Sequence, residues 1–203
     1  LLLADNESQP VIAEFVASGT STGEFLDRWR VPGDPTSKVW EERFGEGIYL
    51  EHVKNALDQA LSTADLSVDE LSKVIINGLH GRACRGASKM IGAKPDAFVD
   101  DLTSKVGNTG SAHAYLLLAS VLDQAEPNEA IAIVNLADGC DVTILRTTDA
   151  ISEYQPEKSV AQVVSEGNDS LDYSLYLSWR GFLDREPPRR PDPIRPAAPP
   201  SGR

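Results

Sequence analysis

The run KVIING, Lys73 to Gly78, constrains the fold most. Three β-branched residues follow one another without the apolar/polar alternation of a half-exposed strand, so both faces of this strand are expected to be covered. This is a strand of the buried, parallel-sheet type, with helices on both sides. The chain supplies them. Leu50, Val53, Ala56, Leu57, Ala60 and Leu61 recur at three- and four-residue spacing, predicting an amphipathic helix from Tyr49 to about Ala64. Ser67 precedes Glu70 by three residues, a capping box that starts a short helix. Arg82 to about Ile91 and the apolar stretch from Ser111 to about Ala125 read as further helices, with KPDAFVDDLTSKV between them a short helix and connection.

Upstream, VIAEFVASGT reads as a strand that ends in a turn. The following residues, Ser21 to Gly47, have closely spaced Pro and Gly and read as a long loop or two short helical turns. Downstream, AIAIVNLA and CDVTILRT are two strands joined at Asp138-Gly139, a strong hairpin signal. The order strand, helix, strand, helix, helix, strand, strand predicts an α/β layered domain with a mixed sheet over residues 1–150. Residues 151–203 differ in kind. NDSLDYSLYLSWRGFL can form one aromatic-rich amphipathic helix, and the closing DREPPRRPDPIRPAAPPSGR carries most of the thirteen prolines and reads as an extended arm.

Composition narrows the function. Thirty-one acidic residues against nineteen basic ones give a net charge of -12, which argues against a nucleic-acid surface. No apolar run approaches the roughly 20 residues that span a bilayer. Cys84 and Cys140 form neither a metal-binding pattern nor a disulfide framework, so a cytoplasmic setting is expected. The opening LLLAD reads like the middle of a strand.

Chemistry concentrates in GLHGRACRG, Gly78 to Gly86, and VGNTGSAHAY, Val106 to Tyr115. His80 ends a buried-type strand and precedes a helix, where open α/β sheets present ligand-binding groups. It can serve as general base or as a donor to an acyl oxygen, or it can be structural, bonded to a nearby carbonyl. Asn108, between glycine and threonine, can stabilise an oxyanion, or it can be a turn residue or helix cap. Arg82, Arg85 and Lys89 fall near one face of the helix after His80, either as a site for a phosphorylated cofactor or as a solvated face. Cys84 lies one turn beyond His80 and reads as packed core sooner than as a nucleophile. His52 and His113 have no motif around them, and no metal-site pattern is present. The chain lacks a convincing nucleophile of its own, and His80 and Asn108 are groups that assist one.

Together with VIINGLHGRACRGASKMIG, VGNTGSAHAYLLLASVLDQAEPNEAIAIVNLADGCDVTIL and YLSWRGFLDREPPRRPDPIRPAAPP, the chain resembles the C-terminal half of thiolase-superfamily condensing enzymes. The branch it is similar to is that of prokaryotic hydroxymethylglutaryl-CoA synthase and 3-oxoacyl-carrier-protein-synthase-III-like proteins. The resemblance implies a thiolase-like fold, of which this chain forms one half of a layered αβαβα arrangement. It also implies a Cys-His-Asn site in which His80 and Asn108 polarise a carbonyl while a cysteine on a missing N-terminal half carries the acyl group. A coenzyme A thioester is then the substrate, with no covalently bound cofactor. A homodimer and an OB-fold and zinc-ribbon partner are the implied associations. One departure stands out: Gly81, Arg82 and Ala83 replace the Gln-Ala-Asn usual after the synthase III histidine. GNTG in place of the GHP of thiolases favours the synthase branch. Thiolase or retro-aldolase chemistry, or a non-catalytic thiolase-like scaffold, are the alternative readings.

Overall fold

A computed structural model describes residues 10–183 and Glu186. The chain divides into two units, 1–167 and 168–203. In the first, β1 (Ala13–Thr22) leads through a short hairpin, β2 (Arg28–Trp29) and β3 (Lys38–Val39), into α1 (Glu42–Ala64). The 3-10 turn Val68–Glu70 follows, then β4 (Lys73–Gly78) and α2 (Gly81–Ile91). Next come α3 (Thr103–Val106), α4 (His113–Leu122), β5 (Ala130–Ala137), β6 (Gly139–Thr147) and α5 (Val160–Ser165). The four long strands form one sheet in the order β1-β6-β5-β4, with β4 and β5 parallel and the other pairs antiparallel. This is the expected mixed α/β sheet.

Alternate residues of the central strands enter different cores, as a strand covered on both faces must arrange. Val74, Ala132, Val134, Val142 and Ile144 pack with Val53, Ala56 and Ala60 of α1 and Ala83 and Ala87 of α2. Ile75, Ile131 and Ile133 pack instead with Leu117 and Leu118 of α4. The capping box forms as the spacing predicts, Ser67 N–H donating to Glu70 Oε2 at 2.7 Å. At the hairpin, Ala137 pairs with Gly139, leaving Asp138 alone at the tip. Gly139 has φ 127, and a Cβ there would lie 2.1 Å from the Ser21 carbonyl oxygen, so only glycine fits.

Three expectations need correction. The Ser21–Gly47 stretch is neither an irregular loop nor two helical turns: it holds the β2–β3 pairing and the beginning of α1, which starts at Glu42 and not at Tyr49. Gly45 and Gly47 looked like punctuation, yet the helix runs through both. At Gly45 the missing side chain serves close packing, since a Cβ would lie 3.0 Å from both Asp27 Oδ1 and His80 Nε2. The helix expected from Ser111 begins at His113, after a 3-10 turn over Gly110–Ala112.

In the second unit, the aromatic helix expected over Asn168–Leu183 is confined to α6 (Tyr173–Trp179). Asp172 caps its start, accepting the Ser174 N–H at 2.8 Å, and Gly181 at φ 70 lies just beyond its end. The Pro-rich arm lies outside the described residues, Glu186 excepted. Residues 151–167 are part of the first unit, with Ile151 buried in the α4-side core.

Candidate active site

β4 delivers the chain to Gly78, and the strand end turns through Leu79 and His80 into α2. His80 is the N-cap of that helix, its Nδ1 accepting the Ala83 N–H at 3.0 Å. A neutral ring that accepts at Nδ1 carries its proton on Nε2. That Nε2–H lies 4.0 Å from Asp27 Oδ1, and neither atom has a hydrogen-bond partner among the described residues. The histidine is only 3% exposed. A buried donor and a buried acceptor therefore face each other just beyond bonding distance, with the gap flanked by Gly45. Tyr49 completes the cluster: its hydroxyl donates to Asp27 Oδ2 at 3.3 Å, and its ring lies 5.5 Å from the imidazole. Burial, reinforced by the Asp27 charge, pushes the Tyr49 phenol well above its usual range, so it remains an O–H donor.

The same strap of chain also reaches Leu79, the residue before His80. Arg28, beside Asp27, reaches the Leu79 carbonyl at 3.5 Å and Ser37 Oγ at 3.2 Å. The Trp40 N–H donates to the Asp27 carbonyl at 2.8 Å. Sequence reasoning missed Asp27 entirely. It sits in a Pro- and Gly-rich stretch, and nothing local indicates that its carboxylate lies beside an imidazole fifty residues away.

Asn108 lines a cleft of ≈ 550 Å³ together with Leu79, Gly81, Cys84, Arg85 and His113. Its Oδ1 accepts the Gly110 N–H at 2.8 Å, which fixes the amide orientation and leaves both Nδ2 donors on the exposed end. The His80 ring does not line this cleft. The structure thus brings Asn108 to the residues flanking His80 but gives the two side chains different surroundings.

Of the three basic residues, only Arg85 lines the cleft. Arg82 is paired with Glu46 on α1, and Lys89 is exposed outside the cleft. Burial and then the Asp101 charge push the Cys84 thiol up to about 11, and burial followed by the Asp141 charge pushes Cys140 up to about 12. Neither is a thiolate near neutral pH. Among the described residues no cluster of His, Cys, Asp and Glu could hold a metal ion, and no helix is long and apolar enough to cross a membrane.

The mixed sheet covered on both faces is shared with solved proteins of thiolase-like fold. Solved structures of that class superpose on the chain. A hydroxymethylglutaryl-CoA synthase complexed with CoA matches at TM-score 0.59 and 15% identity, covering 70% of this chain and 41% of that one. The 3-oxoacyl-[acyl-carrier-protein] synthase III of Aquifex aeolicus matches at TM-score 0.57 and 13% identity, covering 68% and 46%. In sequence, its relatives include hydroxymethylglutaryl-CoA synthases: that of Archaeoglobus fulgidus is 30% identical over 172 residues, 83% of this chain and 50% of that protein. The chain spans about half the length of the curated relatives it matches. No protein-family model matches it.

Proposed function

We propose that this chain supplies the histidine and asparagine half of an acyl-CoA condensing enzyme that forms carbon-carbon bonds on thioesters, in the manner of a hydroxymethylglutaryl-CoA synthase. One observation carries the reading. The chain offers hydrogen-bond donors in the Asn108 amide and the His80 Nε2–H, while both of its thiols are held protonated by burial. Such a chain can stabilise charge but is poorly equipped to carry an acyl group, so the nucleophilic cysteine comes from another half.

In this mechanism the partner half carries an acetyl thioester on its cysteine and removes an α-proton from it. The enolate attacks the ketone carbon of the acceptor acyl-CoA, whose oxygen becomes an alkoxide. His80 Nε2–H donates a hydrogen bond to that oxygen and keeps its proton, stabilising the developing charge, while the alkoxide takes its proton from solvent. The Asn108 Nδ2 donors stabilise a thioester oxyanion. Arg85, on the cleft wall, is the basic residue best placed for the anionic end of the coenzyme, with Arg82 and Lys89 on the same helix. The setting proposed is cytoplasmic, and the assembly a dimer.

The test is reconstitution with a cysteine-bearing thiolase half and acetyl-CoA, followed by intact mass. Acylation of the partner half, with turnover lowered about 10²-fold or more by Asn108→Ala, is the expected outcome for loss of one oxyanion donor. His80→Ala should do the same without unfolding the chain. Full turnover in either variant removes that residue from the mechanism, and absence of any acylated half leaves a scaffold.

A further inference from the structure

We propose that His113 is the positioning residue that aims Asn108, a role that deepens the condensing-enzyme reading and, for its catalytic consequence, rests on it. His113 opens α4 and is 1% exposed, one of the few polar side chains fully inside the first unit. A buried imidazole needs partners for both nitrogens, and both have them. Nε2 lies 2.9 Å from the Asp101 carbonyl oxygen, which can only accept, so Nε2 carries the proton. Nδ1 is then a lone pair, and it takes the Thr109 N–H at 3.3 Å and stands 3.3 Å from the Thr109 hydroxyl. A single neutral tautomer satisfies every bond.

What the ring joins matters more than that it is satisfied. The Asn108 turn lies between Gly107 at φ 71 and Gly110 at φ 70, and a Cβ on either would meet nothing within 4 Å. Such a turn has little packing of its own. Its other bonds are short-range, Gly107 N–H to the Thr103 carbonyl and Gly110 N–H to Asn108 itself. The connection at Asp101 is by contrast tied to the rest of the unit, by the Val99 N–H donating to the Val74 carbonyl of β4 at 3.1 Å and by Leu102 in the α4-side core. Asp100 Oδ1 accepts the Leu102 N–H at 3.1 Å and Asp101 Oδ1 the Thr103 N–H at 2.9 Å, holding Leu102 at φ 54. Through His113 the turn is clasped to that fixed point and to the first turn of α4. Thr109, which receives the clasp, is the residue next to Asn108.

Three readouts decide it. In the wild-type chain at pH 8, long-range ¹H–¹⁵N spectra should show His113 with its proton on Nε2; an Nδ1–H tautomer overturns the clasp. His113→Asn places an amide near the Nδ1 position and can keep the Thr109 bond, whereas His113→Gln places it near Nε2 and keeps only the Asp101 bond. The Gln variant should therefore show faster amide exchange at Thr109 and Gly110, with the Asn variant near wild type. Equal exchange in the two overturns the proposal. In the reconstituted enzyme, His113→Gln should lower kcat about 10²-fold at unchanged KM, the scale of a misplaced group, and His113→Asn should recover most of it. Wild-type kcat in the Gln variant, measured where Asn108→Ala is itself impaired, overturns the positioning role. An unimpaired Asn108→Ala instead sinks the oxyanion reading, while tautomer and exchange still judge the clasp.

Discussion

Asn108 and His80 show how differently a fold can treat two residues singled out for the same reason. Asn108 is legible because its neighbours are glycines, and the turn they permit does expose an amide. His80 was legible as the end of a buried strand, but its use as a helix cap was not, because capping depends on backbone angles and not on spacing. Asp27 and His113 escaped notice since their partners are remote or have no motif. The thiols give a prediction at this scale. In the unfolded chain each titrates near 9.0, whereas burial moves Cys84 to about 11 in the fold. The neutral thiol is thus the folded form, so its stabilising contribution is intact below pH 9 and is lost as pH rises toward 11. Iodoacetamide should label Cys84 slowly in the native chain at pH 8 and rapidly in urea. Equal rates would contradict the burial.

At the scale of elements, β-branched runs bounded by turn residues identified every strand of the main sheet. Periodicity placed the start of α1 seven residues late, since glycine was taken as a breaker when it was serving close approach. A second glycine makes the point testable. Gly19 of β1 lies under α1, where a Cβ would be 2.1 Å from the Ala56 carbonyl oxygen. Backbone cannot yield as a flexible side chain does, so Gly19→Ala should cost about 1–3 kcal/mol or more in urea unfolding. A wild-type midpoint would mean that strand and helix sit farther apart. The acidic turns respond to pH in the opposite sense from the thiols. Hydrogen bonds from Thr103 hold the Asp101 carboxyl below its ordinary range, so its contribution is present at neutral pH and lost on acidification.

For the whole molecule, the division into two units carries its own expectation. Both cores are drawn from residues no later than Val160. A chain ending at Gly167 should therefore unfold with a stability within about 0.5 kcal/mol of the full one, as for changes away from a core. A larger loss would show that residues 168–203 support the sheet. Deleting only the arm after Arg185 should leave that stability unchanged and weaken assembly in sedimentation. The placement of β1 beside β6 has a further consequence, for biosynthesis. Thr148 bonds the carbonyl of Val11, 137 positions earlier. During synthesis, β1 must wait for β6 before it gains its strand partner in this sheet. The helix that covers it emerges long before the sheet exists. Folding should accordingly be slow, limited by closing a long loop, with β1 exposed to chaperones until β6 arrives.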